Sequence, residues 1–210
     1  MDEIGELLPR GWITQKKLGV AFVVTGPSGA GKSSVIAALL QRDRALRFSV
    51  SATTRPRRPE EEHGRDYYFV SEAEFNQLVE SGTLLEWTVY QGHRYGTPRS
   101  EVEAKLAEGL DLVLSVEVNG ALAIARARLP HPVVLIFLVP PSREELRRRI
   151  RARGTESEEA LRERLAIAES ELERIPEFHY LVVNDRLWNA VAQVQAVIAA
   201  ERCRIVQWSG

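Results

Sequence analysis

The chain has 210 residues, of which 44% are hydrophobic and 27% charged, and its formal net charge is −1. That is the composition of an ordinary soluble globular domain, and it lacks the strong basic excess typical of a nucleic-acid binder, so a polyanionic ligand must be met by local clusters of arginine. A single cysteine, Cys203, excludes an internal disulfide and fits a reducing, cytoplasmic setting. Asp2, Glu3 and Glu6 interrupt the first residues, and no apolar stretch reaches about 18 residues, so neither a signal peptide nor a membrane span is expected.

Residues 1–18 read as an extension without a legible role. Val20-Ala21-Phe22-Val23-Val24 is too short and too β-branched for a helix and suits a strand buried on both faces. A glycine-rich turn follows, then a helix from Lys32 to about Gln41 with Val35, Leu39 and Leu40 on one face. Residues 51–98, rich in Arg, Tyr, Thr and Gly, break this rhythm and read as a small mixed insert with strands near 66–70, 84–90 and 93–97. Apolar runs at 112–116 and 133–139, and a shorter one at 181–183, predict further buried strands. Residues 142–174 predict a charged helical pair, capped by Ser142 with Glu145 and by Thr155 with Glu158 and punctuated at Gly154. An amphipathic helix over 187–202 closes the chain. Strands alternating with helices imply an α/β fold with a largely parallel sheet flanked by helices.

The turn after the first strand, Gly26-Pro27-Ser28-Gly29-Ala30-Gly31-Lys32-Ser33, fits the P-loop pattern G-x-x-x-x-G-K-[ST] in its required strand–turn–helix setting. Its glycines let successive backbone N–H groups face one anion, and the helix that follows presents free donors and partial positive charge. Residues 26–34, from Gly26 through Ser33 to Ser34, are therefore the expected ATP-binding segment. Lys32 would bridge the β- and γ-phosphates and the Ser33 hydroxyl would ligate Mg²⁺.

Ser51-Ala52-Thr53-Thr54-Arg55-Pro56-Arg57-Arg58 is followed by Gly64-Arg65-Asp66-Tyr67-Tyr68-Phe69, by Leu85-Glu86-Trp87 and by His93-Arg94-Tyr95-Gly96-Thr97. At these residues the chain resembles guanylate kinases. The family pattern T-T-R-x-x-R-x-G-E-x-x-G-x-x-Y-x-F runs along residues 53–69, with Glu60 where the pattern has glycine. The resemblance extends from about Val20 to the C-terminus and includes Arg153-Gly154-Thr155, Arg164 and Val183-Asn184-Asp185.

The resemblance implies a P-loop kinase core (19–50, 99–141 and 175–210), a mixed α/β GMP-binding insert (51–98) and a helical lid (142–174), which together transfer the γ-phosphoryl of ATP to GMP with Mg²⁺. It leaves dGMP open as a second acceptor. It implies that Arg55 and Arg58, with Tyr67 and Tyr95, hold the GMP phosphate, and that Arg153 and Arg164 reach the transferring group, making Lys32, Arg55, Arg153 and Arg164 the catalytic set. Ser51, Glu86, Gly96 and Thr97 would surround the guanine, and Asn184 would lie by the donor base. Closure of lid and insert over both substrates would exclude water.

The chemistry is consistent with these assignments on its own terms. Joining ATP to a nucleoside monophosphate brings two polyanions together, and arginine grips phosphate oxygens with a planar fork. Guanine presents N1–H and N2–H donors that the Glu86 carboxylate accepts together, and an O6 that the Ser51 and Thr97 hydroxyls can serve; adenine reverses that edge and leaves the acid unpaired. The acceptor phosphate needs no deprotonation, so His63, His93, His131 and His179 are given no catalytic part. Arg148, Arg149 and Arg151 are read as solvated.

One departure bears on the metal. In the family this chain resembles, many members carry an acidic-x-acidic pair where it has Ser115-Val116-Glu117. Mg²⁺ would then depend on Ser33, phosphate and water, with Glu117 either helping indirectly or facing the guanine or ribose. Three rival readings are a P-loop kinase for another small phosphorylated acceptor, a non-catalytic guanylate-kinase-like interaction module, and a regulatory GTPase. Glu86 with Ser51 argues against the first and the intact Lys32-Ser33 against the second. The third lacks its N-K-x-D motif. The oligomeric state is not legible.

Overall fold

Strand β1 (Ala21–Thr25) has no exposed residue. Phe22 and Val24 point to one face and Ala21 and Val23 to the other, and each pair enters a separate apolar cluster. A strand buried on both sides belongs at the centre of a helix-covered parallel sheet, and that is its place in the computed structural model, which describes residues 18–90, 92–152 and 158–204. Apart from Leu18, the N-terminal extension lies outside the described residues, as do Arg153, Gly154 and Thr155.

The chain continues through α1 (Lys32–Arg42), β2 (Leu46–Phe48), β3 (Ser51–Thr53), β4 (Tyr67–Phe69), α2 (Glu72–Glu80), β5 (Leu84–Tyr90), β6 (His93–Pro98), α3 (Arg99–Ala107) and β7 (Asp111–Ser115). There follow α4 (Val118–Arg126), β8 (Val133–Val139), α5 (Arg143–Ala152), α6 (Glu158–Leu172), β9 (Tyr180–Val183) and α7 (Leu187–Arg202). Five strands form an all-parallel sheet in the order β2-β7-β1-β8-β9. Helices α1 and α7 cover one face with Val35, Leu39, Val191 and Val194, and α3 and α4 cover the other with Val102, Leu106, Leu122 and Ile124. A second sheet, β4-β3-β6-β5, is mixed, with β3 parallel to β4 and antiparallel to β6. Its own small core is Ala52, Phe75 and Leu84. Among the described residues no helix is long and apolar enough to cross a membrane.

The buried strands β1, β7 and β8 and the terminal helix stand within a residue of their expected bounds; β9 does too, but it is an edge of the sheet and leaves Leu181 and Val183 exposed, so it is not the buried strand expected. Between α1 and β5 three elements were not expected. Two are the short strands β2 and β3, each only three residues long. The third is α2, although Ser71 and Glu74 form a complete capping box at its start. In the helical pair the expected box at Ser142 is half made: the Glu145 N–H donates to Ser142 Oγ at 3.1 Å, while the Glu145 carboxylate accepts from Arg148 and Arg149.

A buried ionic clamp ties the last helix to the sheet. Asp111, 4% exposed, accepts from Val20 N–H at 2.9 Å and from Arg202 Nε at 2.7 Å, and Arg202 Nη1 also lies 2.7 Å from Asp43. Removing one partner of such a set orphans a backbone donor and weakens the hold on the arginine. Asp111→Ala should therefore cost about 2–3 kcal/mol, read as a melting temperature lower by roughly 5–10 °C, with turnover per folded molecule unchanged at 25 °C. A shift under about 1 °C would show that the clamp carries no stability.

Candidate active site

The phosphate loop is held in shape from beneath. Asn184, buried at the end of β9, donates its side-chain amide to Ala30 O at 2.8 Å and its backbone N–H to Val139 O at 2.7 Å. Gly31 precedes α1 with φ 93°, and a β-carbon there would stand 2.3 Å from Asn184 Nδ2, so only glycine allows both the turn and the support. Lys32 Nζ donates to Gly26 O at 2.5 Å and lies 3.8 Å from Glu117 Oε2. Glu117 itself stands at the N-terminus of α4, directly after β7. Asn184 thus braces the loop through its amide nitrogen.

Across from the loop, the second sheet carries the acceptor residues. Glu86 on β5 is 8% exposed and pairs in register with Thr97 on β6, whose hydroxyl donates to Glu86 Oε1 at 2.6 Å. On its other side Glu86 meets Gly120 of α4, where a β-carbon would come within 2.6 Å of Oε2. Burial pushes the Glu86 carboxyl up to about 7; the Thr97 hydrogen bond opposes this and the Glu117 charge adds to it. Thr97 is fully buried behind Glu86, which places its hydroxyl on the acid and leaves Ser51 as the hydroxyl facing outward. Gly96 is buried among Phe75 and Leu84, so its reason for being glycine is packing.

Arg55 sits over the Tyr67 ring at 5.5 Å and pairs with Glu61 at 2.6 Å; the other Glu61 oxygen accepts from Arg58 N–H at 2.9 Å. The Tyr67 and Tyr95 rings meet edge to face at 5.9 Å. On the helical side, Arg164 of α6 donates from Nη2 to Ser28 Oγ at 2.8 Å.

One cleft of about 1120 Å³ collects these groups. Of the expected residues, Pro27, Ser28, Gly29, Gly31, Lys32, Ser33, Ser51, Arg55, Arg58, Tyr67, Glu86, Tyr95, Glu117 and Arg164 line it. Gly26, Ala30, Gly96, Thr97 and Asn184 lie behind the lining, Ser34 faces away on α1, and Arg153 is outside the described residues. Ser115 also opens onto the cleft.

Four residues given no part in the sequence reading belong to this site. Glu61 stood in the family pattern without a role, and here it holds Arg55. Tyr90, at the end of β5, lines the cleft. Glu171 lies two turns beyond Arg164 on α6, hence on the same face. Burial first, and the Glu117 charge second, raise its carboxyl to about 7, with Lys32 opposing. Arg149 is not the solvated residue expected: its Nη2 donates to Asn184 O at 3.0 Å and its side chain lies against Gly29. The buried Leu146 and Ile150 turn this flank of α5 onto the loop, a signal present in their spacing.

The guanylate kinase family model matches residues 19–201. Guanylate kinase of Thermotoga maritima is 47% identical over 90% of this chain and 90% of its own length. That of Caldanaerobacter subterraneus subsp. tengcongensis is 44% identical over 90% of this chain and 91% of its own. The crystal structure of guanylate kinase from Anaplasma phagocytophilum superposes with a TM-score of 0.74 at 32% identity, covering 90% of this chain and 89% of that one. A phosphate loop and a buried, hydroxyl-held glutamate on two sheets of one cleft agree with that likeness along nearly the whole chain, and the chain belongs to the guanylate kinase family of P-loop nucleoside monophosphate kinases.

Proposed function

We propose that this cleft transfers the γ-phosphoryl of ATP to GMP, and the observation that carries this is the buried Glu86–Thr97 pair facing the same space as Lys32. Residues 51–98 act as the acceptor-binding insert and 142–174 as the lid over a core of 19–50, 99–141 and 175–210. The loop N–H groups and Lys32 hold the β- and γ-phosphates. Ionised Glu86 accepts N1–H and N2–H of guanine, while the Ser51 hydroxyl serves O6. Arg55 exchanges Glu61 for the GMP phosphate, with Arg58, Tyr67 and Tyr95 beside it. Arg164 lies on the loop, where the transferring group passes, and there neutralises charge that develops between the two nucleotides. The sole cysteine and the nucleotide substrates support a cytoplasmic place.

The donor set of the cleft fits Mg²⁺. Ser33 is exposed at the first turn of α1 and Glu117 is accessible beside Lys32, both with hard oxygens. No group of three metal-ligating side chains exists among the described residues, which suits an ion that takes most of its ligands from phosphate and water. Held there by Ser33 and Glu117 together with ATP, the ion would supply positive charge to the phosphates. Ser115→Asp should lower the Mg²⁺ concentration for half-maximal rate several-fold; an unaltered titration curve would make the position irrelevant to the ion.

The direct experiment is ADP formation from ATP with GMP, AMP, CMP, UMP or no acceptor. Turnover with GMP alone is expected, and Glu86→Gln should reduce GMP turnover by about a hundredfold or more, as losing a buried partner for substrate hydrogen bonds does. Turnover with another acceptor in preference to GMP would replace the reading.

The raised Glu86 carboxyl gives a pH signature. Guanine needs the ionised form, so below about pH 7 a proton must leave before GMP binds. The Kd for GMP should rise about tenfold per pH unit below that point, relative to Glu86→Gln, which shares every other titration. The sign for folding is opposite to that of a salt-bridged acid. The folded state holds this proton more tightly than the unfolded one between pH 4.5 and about 7, so stability falls as pH rises through that window. Glu86→Gln should therefore melt higher than wild type at pH 8, and calorimetry showing a lower melting point would contradict the burial argument.

A further inference from the structure

Glu101, in the first turn of α3, is a carboxylate outside the lining of the cleft. Its side chain is 14% exposed and takes three donors. The Tyr68 hydroxyl donates to Oε2 at 2.8 Å, while Lys105 Nζ at 2.6 Å and Val50 N–H at 3.4 Å donate to Oε1. Lys105 lies one turn further along α3, Val50 is where the chain passes from β2 to β3, and Tyr68 is the middle residue of β4. Strand β6 runs directly into α3 at Pro98. Glu101 therefore stands beside both crossings between the two sheets and fastens a strand of the second to a helix of the first.

Strand β4 needs such a hold. It is three half-buried residues at the edge of its sheet, with β3 as its one neighbour there. Its side chains alternate. Tyr67 faces the cleft under Arg55, and Tyr68 turns to the small core of Phe75 and Leu84. A phenylalanine would fill that core as well, so packing accounts for the Tyr68 ring and Glu101 for its hydroxyl. The Glu101 hydrogen bond first, and burial second, push the phenol up and keep it a donor.

We propose that Glu101 is a positioning residue for the acceptor phosphate: by holding the Tyr68 hydroxyl it fixes β4, and with it the Tyr67 ring on which Arg55 rests. A group fixed before the anion arrives has less to reorganise when it binds. This rests on the GMP reading, and the wild type tests that reading separately, by its preference for GMP over guanosine. A wild type without that preference would overturn both.

The test is calorimetric titration of GMP and of guanosine into wild type, Tyr68→Phe, Glu101→Ala, the double variant and Glu101→Gln, each checked for folding by thermal melting. Tyr68→Phe should raise the Kd for GMP about tenfold, the scale of one lost hydrogen bond to a charged group. Its Kd for guanosine should move less than about twofold, because the base is met by Glu86 on β5 and not by β4. In the Glu101→Ala background the further effect of Tyr68→Phe should be under about twofold, since both changes break one link. Glu101→Gln keeps an oxygen that accepts from Tyr68 and should hold GMP within about threefold of wild type. Turnover should show the same split, with KM for GMP raised and KM for ATP unchanged. Wild-type affinity for GMP in Tyr68→Phe, equal losses for GMP and guanosine, or effects that multiply would each overturn the proposal. If Glu101→Ala does not fold, Tyr68→Phe and Glu101→Gln still decide it, because the first keeps the ring and the second the acceptor.

Discussion

Glu86 can stand where it does only because residue 120 has no side chain. Gly120 opens the space into which the carboxylate projects, and a β-carbon there would take the place of Oε2. This contact brings β5 of the second sheet down onto α4 of the core. It sets the separation between the base-reading acid and the phosphate loop, since Glu117 at the start of α4 is the residue beside Lys32. The cleft is thus dimensioned by two glycines. Gly120 admits the acceptor sheet, and Gly31 allows the loop to close over the Asn184 amide.

Within that cleft, cationic groups are held by internal partners of the kind a phosphate would replace. Arg55 is paired with Glu61, Lys32 lies between the Gly26 carbonyl and Glu117, and Arg164 rests on Ser28. Such pairing keeps the side chains directed and limits the reorganisation needed when a polyanion arrives. The acids are less comfortable. Glu86, Glu117 and Glu171 share one partly desolvated region, and both Glu86 and Glu171 are pushed to about 7 as a result. A site arranged for two nucleotides and their counter-charge accumulates strain of this kind where base recognition and phosphate chemistry adjoin.

The parts of the fold that were legible are those whose signal is local. The apolar run of β1, the P-loop spacing at Gly26–Ser33 and the long terminal helix each carry their evidence within about fifteen residues, and they stand as expected. The short strands β2 and β3 do not, because three residues cannot display a period. Helix α2 is different: it carries a local signal, the capping box at Ser71 and Glu74, ahead of a short run in which only Phe75 is buried.

What the sequence determined by itself was the chemistry available: the loop, the arginines, Glu86 and the family resemblance that ordered them. Tertiary structure decided which groups face the substrate space and which support from behind. Thr97 and Asn184 carry the right atoms for a ligand, yet their hydrogen bonds go to Glu86 and Ala30. Arg149 looked like one more charge on a basic helix, yet the burial of Leu146 and Ile150 turns it onto the loop. Arg164 and Ser28, far apart in the chain, meet at the phosphate loop. A residue type fixes which hydrogen bonds a side chain can make. Which of them it does make depends on neighbours brought near by the packing of distant elements, and local sequence carries no record of those distances.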